Sequence, residues 1–138
     1  MKLVIDCNVF VSACLDSRTC GVVLEVALLQ NQVYFSRFIL EELHSTLARP
    51  KFCHPMVQEK SRNAIELLKL KGYLIEPFVC PFPTPDPKDE MYVATALTAQ
   101  ADAIITGNLK HFPPLLCHPI RIFSPRQFLT ETYPHITV

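Results

Sequence analysis

Short apolar runs separated by longer stretches of helical spacing constrain this chain more than any other feature. Leu3 to Ile5 and Val33 to Phe35 are strand candidates, Leu74-Ile75 is a third, and Ala103 to Ile105 and Ile120 to Phe123 complete the set. Helical spacing runs over Val22 to Gln30, Phe38 to Leu47, Val57 to Lys71, Asp89 to Ala99 and Pro125 to Thr132. The last opens Ser124-Pro125-Arg126-Gln127: a serine N-cap, a proline in the first turn and a glutamine able to reach back. Alternation of strand and helix predicts an α/β domain whose parallel sheet is covered on both faces, and right-handed crossovers restrict it to a doubly wound arrangement. The stretch from Pro77 to Pro87 holds five prolines, which cannot extend a helix or serve a central strand, and reads as a stiff loop within one domain spanning 1–138.

A chain of 138 residues, 49% of them hydrophobic, is of a size that builds one proper core. Its apolar runs fall far short of the roughly 20 residues that span a bilayer, and Met1-Lys2-Leu3 leads directly into a strand pattern. A cytoplasmic protein without a membrane partner is the expectation. The six cysteines at 7, 14, 20, 53, 80 and 117 make no CxxC pair, which argues against zinc and for core thiols. A formal net charge of zero argues against a broad electrostatic grip on a polyanion, so a nucleic-acid target would have to be short or structured, or be held by an oligomer.

Four polar residues stand where chemistry is expected. In an open parallel sheet, ligands bind beyond the carboxyl ends of the strands, where the strand order reverses. Asp6 follows Leu3 to Ile5, and Asn108 comes soon after Ala103 to Ile105. Asp89 shares a helical face with Tyr92, Val93 and Ala96, so its carboxylate is turned toward the sheet. Glu42 lies at the edge of the face formed by Ile39, Leu43, Thr46 and Leu47, whereas Glu41 points further away. Carboxylates gathered from separate elements stay ionised together only beside a cation, and oxygen donors suit Mg²⁺ or Mn²⁺. Competing explanations are a capping role for Asp6 ahead of Val9-Phe10-Val11, dipole stabilisation for Asp89 and a solvated helix position for Glu42. Asp86 is best explained as the cap of the helix that Asp89 opens. Asn8, Ser12 and Thr106 are candidates to orient the carboxylates or hold a water at the crevice.

Asp-Cys-Asn near the amino terminus, a helical Glu leading to Arg49-Pro50-Lys51-Phe52, Asp-Pro-Lys-Asp-Glu, Thr-Gly-Asn-Leu-Lys-His-Phe-Pro and the closing Ser-Pro-Arg-Gln-Phe-Leu come in this order. With these motifs the sequence resembles the PIN-domain nucleases, nearest the VapC-like toxins of toxin–antitoxin pairs. The resemblance implies a three-layer α/β/α fold with a five-strand parallel sheet of order 3-2-1-4-5. It also implies a metal-dependent endoribonuclease with catalytic acids at Asp6, Glu42 and Asp89, leaving 5′-phosphate and 3′-hydroxyl ends. The fourth position, often aspartate in the family, is Asn108 here, and a further acid of that loop is replaced by His111.

On this reading Asp6, Glu42 and Asp89 hold Mg²⁺ or Mn²⁺ for hydrolysis of an RNA phosphodiester, and Lys88, Lys110, His111 and Arg49 are candidates to meet its phosphates. The resemblance further implies a small antitoxin as partner and a homodimer; the apolar run Phe112-Pro113-Pro114-Leu115-Leu116 is a candidate interface segment, with loop packing its favoured role. A haloacid-dehalogenase-type phosphotransferase would need a second acid at position 8, which is Asn8. The remaining alternative is a PIN domain without turnover that binds RNA or a protein.

Overall fold

The computed structural model describes residues 1–78, 84–113 and 119–138. Part of the proline-rich loop, part of the 112–116 segment, Cys80 and Cys117 lie outside the described residues. Strands β1 (Lys2–Ile5), β2 (Gln32–Phe35), β3 (Tyr73–Leu74), β4 (Ala103–Ile105) and β5 (Arg121–Phe123) form one sheet of order β3-β2-β1-β4-β5, and every pairing is parallel. Helices α1 (Cys7–Cys14), α2 (Arg18–Gln30), α3 (Arg37–Leu47), α4 (Pro55–Lys71), α5 (Glu90–Ala99) and α6 (Pro125–Thr132) cover it. The result is the expected three-layer α/β/α arrangement.

The centre of the sheet follows from its residues. Leu3, Val4 and Ile5 of β1 and all three residues of β4 are at most 2% exposed, because both faces of these strands are covered. Each fully buried large aliphatic side chain contributes about 2 kcal/mol relative to its exposed state. β1 and β4 pair through Leu3 with Ala103, Val4 with Ile104 and Ile5 with Ile105. Their carboxyl ends therefore sit side by side at the point where strand order reverses. α5 lies against β1, β2 and β4, while α1 packs against α2, α3 and α4.

Local signals fix most helix ends. Ser17 caps α2 through Cys20 N, Ser36 caps α3 through Ile39 N, and Ser124 with Gln127 forms a complete capping box on α6. The structure departs from the sequence expectation at several edges. α2 begins at Arg18 rather than Val22, since the Ser17 cap lies upstream of the apolar run. His54 caps α4, and Pro55 occupies its first turn, two residues before Val57. β3 is Tyr73–Leu74, one residue before the expected pair, and both residues are exposed on the edge of the sheet. Gly72 makes this junction: a Cβ there would stand 2.5 Å from Leu68 O and 2.9 Å from Phe35 Cε1. Single 3₁₀ turns at Pro50–Phe52, Pro87–Asp89 and Leu109–His111 are further elements without a periodic signal. Among the described residues no helix is long and apolar enough to cross a membrane.

Candidate active site

Asp6 directly follows β1 at the N-cap position of α1, yet its side chain makes no cap bond. Its Oδ2 accepts instead from Thr106 Oγ1 at 2.8 Å and from Asn8 Nδ2 at 3.0 Å. Thr106 is the first residue after β4 and is fully buried. Asn8 also accepts from the Gly107 amide at 2.9 Å, so one amide side chain ties the loop after β1 to the loop after β4. A Cβ on Gly107 would lie 3.2 Å from Asn8 Oδ1, a close approach that a glycine accommodates. Asp6 is 5% exposed. Burial pushes its carboxyl pKa up, the Thr106 hydroxyl opposes the rise, and the Glu42 charge adds to it.

Asp89 closes the 3₁₀ turn that precedes α5, and Asp86 caps that turn by accepting from Lys88 N at 3.1 Å. This places Asp89 above Tyr92 and Val93, both fully buried. Asp89 itself is 7% exposed, and among the described residues its Oδ2 has no hydrogen-bond partner. His111 Nδ1 stands 2.8 Å from that oxygen without forming a hydrogen bond to it. Burial first, then the charge of Asp6, push the Asp89 carboxyl up to about 6, with His111 pulling the other way.

Glu42 is carried by α3 and is partly buried. Its Oε1 accepts the hydroxyl proton of Tyr92, and that hydroxyl in turn accepts from the Cys7 amide at 3.2 Å. Tyr92 is the residue that sequence reasoning counted only as part of an apolar stripe. Its position three residues after Asp89 fixed the face, but nothing in the sequence shows what the hydroxyl meets. Burial and the charge of Asp6 push the phenol far above its ordinary range, so it stays a donor at any working pH.

Asp6, Glu42 and Asp89 line one cleft of about 740 Å³ at the carboxyl end of the sheet. Asn8, Ser12, Arg49, Lys88 and His111 also line it, with Lys51 as a further cation. Thr106 lies beneath it, holding Asp6. Asn108 and Lys110 are not among the lining residues. The Asn108 side chain turns to His111, with Nδ2 2.9 Å from Nε2, and its amide donates to Thr106 Oγ1 at 3.0 Å.

The arrangement is three acids from separate elements in one concave, partly cationic cleft. Compared with known protein families, residues 2–110 match the PIN domain. The chain belongs to the PIN-domain family. Solved structures share this PIN fold at low identity. VapBC2 from Rickettsia felis, bound to a DNA fragment from their promoter, is 14% identical at a TM-score of 0.61, over 90% of this chain and 98% of that one. VapBC-1 from nontypeable Haemophilus influenzae is 18% identical with a TM-score of 0.60, over 91% and 99% of the two chains. FitAcB from Neisseria gonorrhoeae is 16% identical with a TM-score of 0.58, over 90% and 98%. No protein of curated function matches the chain.

The donor set fits a divalent cation. Among the described residues Asp89 Oδ2 is a buried carboxylate oxygen without a donor, and burial first, then the charge of a neighbouring acid, raises the pKa of Asp6 and of Asp89. A cation removes both penalties.

Proposed function

We propose that this PIN domain is a metal-dependent endoribonuclease and the toxin of a toxin–antitoxin pair. The observation that carries the reading is the convergence of Asp6, Glu42 and Asp89 on one cleft, with a buried Asp89 oxygen that has no donor among the described residues. Asp6, Asp89 and Glu42 are the residues that would hold Mg²⁺ or Mn²⁺. Such an ion, when bound, neutralises charge on the scissile phosphate and lowers the pKa of the attacking water.

The chain's own residues do the positioning. Thr106 and Asn8 hold the Asp6 carboxylate in one orientation, and Tyr92 does the same for Glu42. Arg49, Lys51 and Lys88 stand at the cleft wall, where an RNA backbone would meet cations in an otherwise neutral protein. This local concentration of positive charge supports a short stretch of single-stranded or looped RNA as substrate. Asn108 contributes no charge and, rather than lining the cleft itself, meets His111 behind its wall. This favours a second reading, a PIN domain of weak or no turnover that binds RNA or a protein.

The solved VapBC assemblies support a small antitoxin protein as the partner of this chain; a homodimer in the cytoplasm is the working state that the resemblance to the PIN nucleases implies. The deciding experiment is incubation of a mixed RNA panel with Mg²⁺, Mn²⁺ or EDTA, using the protein beside Asp6→Asn and Asp89→Asn. Metal-dependent cleavage lost in both variants supports the nuclease. RNA retained without cleavage in every metal supports the binding module.

A further inference from the structure

Asp86, Asp89 and His111 meet at one wall of the cleft, the first two from the turn ahead of α5 and the third from the turn after β4. One donor atom from each lies within 4.8 Å of the others. Two donors on one ion, each about 2.1 Å from it, are separated by at most about 4.2 Å, so a small closure of these two turns completes the set. Asp86 caps its turn through Oδ1 alone. Asp89 brings the buried oxygen that has no hydrogen-bond donor among the described residues. His111 stands with a ring nitrogen 2.8 Å from that oxygen without hydrogen-bonding to it.

We propose that Asp86, Asp89 and His111 form a second cation site of mixed oxygen and nitrogen donors, oriented by Asn108, that takes Mn²⁺, Co²⁺ or Zn²⁺ in preference to Mg²⁺. Imidazole nitrogen is a good ligand for the transition metals and a poor one for Mg²⁺, which demands oxygen. A ligating histidine needs its other ring N–H held by an acceptor. Asn108 supplies it: a half-turn of its amide puts Oδ1 where Nδ2 now lies, 2.9 Å from His111 Nε2. Nε2 then carries the proton, and the Nδ1 lone pair is free for an ion held beside Asp89. This gives the neutral residue at position 108 a role that an aspartate facing the cleft would not fill. The site shares only Asp89 with Asp6 and Glu42, and it concerns metal binding, whether or not the chain cuts RNA.

The direct test is ¹⁵N NMR of the histidine rings during titration with Zn²⁺, joined to calorimetry with Mn²⁺ and Mg²⁺. The expected result is a large shift of the His111 Nδ1 resonance under Zn²⁺ and none under Mg²⁺. His111→Ala should lose one equivalent of Mn²⁺ while Mg²⁺ binding stays as in the wild type. His111→Asp, which restores an oxygen donor, should keep the equivalent but lose the preference for Mn²⁺ over Mg²⁺ by at least about tenfold, and Asn108→Ala should weaken Mn²⁺ about tenfold. A His111 Nδ1 resonance unmoved at saturating Zn²⁺, or a His111→Ala protein with unchanged Mn²⁺ stoichiometry and affinity, overturns the proposal. Ion binding with these signatures but no RNA cleavage would overturn the nuclease reading alone.

Discussion

Tyr92 donates its hydroxyl proton to Glu42 from inside the core, and the same oxygen accepts the Cys7 amide at the start of α1. One phenol therefore links a cleft carboxylate on α3 to the backbone that follows Asp6. Tyr92→Phe keeps the ring and its edge-on packing against Phe112, 6.4 Å away between centroids. It removes both hydrogen bonds and leaves a buried amide unpaired, which should cost about 1–2 kcal/mol in chemical denaturation. If the chain is a nuclease, kcat should fall about 10- to 100-fold with KM for RNA nearly unchanged. A full kcat in a well-folded variant would remove Tyr92 from the machinery.

The raised pKa of Asp89 makes stability depend on pH in a definite direction. Its folded value of about 6 lies above the unfolded value of about 3.9, so the folded state binds the extra proton in between. Stability should fall as pH rises from about 4 to about 6, by about 2 kcal/mol, or on the order of 5 °C in midpoint. Asp89→Asn should flatten this part of the profile. Millimolar Mn²⁺ should restore the midpoint at pH 7.5 and have little effect at pH 4.5, where protons compete for the same oxygens. Scanning fluorimetry across pH, with and without the ion, measures both.

Gly72 is required by space. A methyl at this position meets Leu68 O and the Phe35 ring at 2.5 and 2.9 Å, so the end of α4 and β3 must separate. Gly72→Ala should cost about 1–3 kcal/mol, read as a lower urea midpoint with the slope unchanged. Gly21, whose Cβ would meet nothing within 4 Å, is the control. Gly21→Ala should hold or raise stability, by up to about 1 kcal/mol, because the helix gains propensity.

Thiol reactivity should separate the described cysteines. Burial pushes the Cys7 thiol up to about 12, so it is protonated at neutral pH and sits 6% exposed beside Asp6. Cys53 is exposed. In a Cys80→Ser, Cys117→Ser background, iodoacetamide at pH 8 should label Cys53 within minutes and leave Cys7, Cys14 and Cys20 untouched until denaturant is added. Rapid modification of Cys7 in the native protein would show that the cleft floor opens.

The sequence carried the sheet because its two middle strands are apolar on both faces, as Leu3 to Ile5 and Ala103 to Ile105 make plain. It placed β3 one residue late because that strand is two exposed residues on an edge, where packing imposes no pattern. α1 was visible only as something Asp6 could cap, since Asp6 spends its oxygen on Thr106 and Asn8 instead. That three carboxylates share a cleft could be argued from strand ends and helix phase. The tie from Asn8 to Gly107, the hydroxyl of Tyr92 against Glu42 and the turn of Asn108 toward His111 could not, because each depends on which loops lie side by side.

The bond between Asp6 and Thr106 spans 100 positions of the chain. During synthesis Asp6 emerges among the first residues, but the strand that carries its partner leaves the ribosome only after α5. A nascent or prematurely terminated chain therefore holds all three acids without the framework that sets them. The cleft therefore gains its geometry late, once β4 has taken its place beside β1.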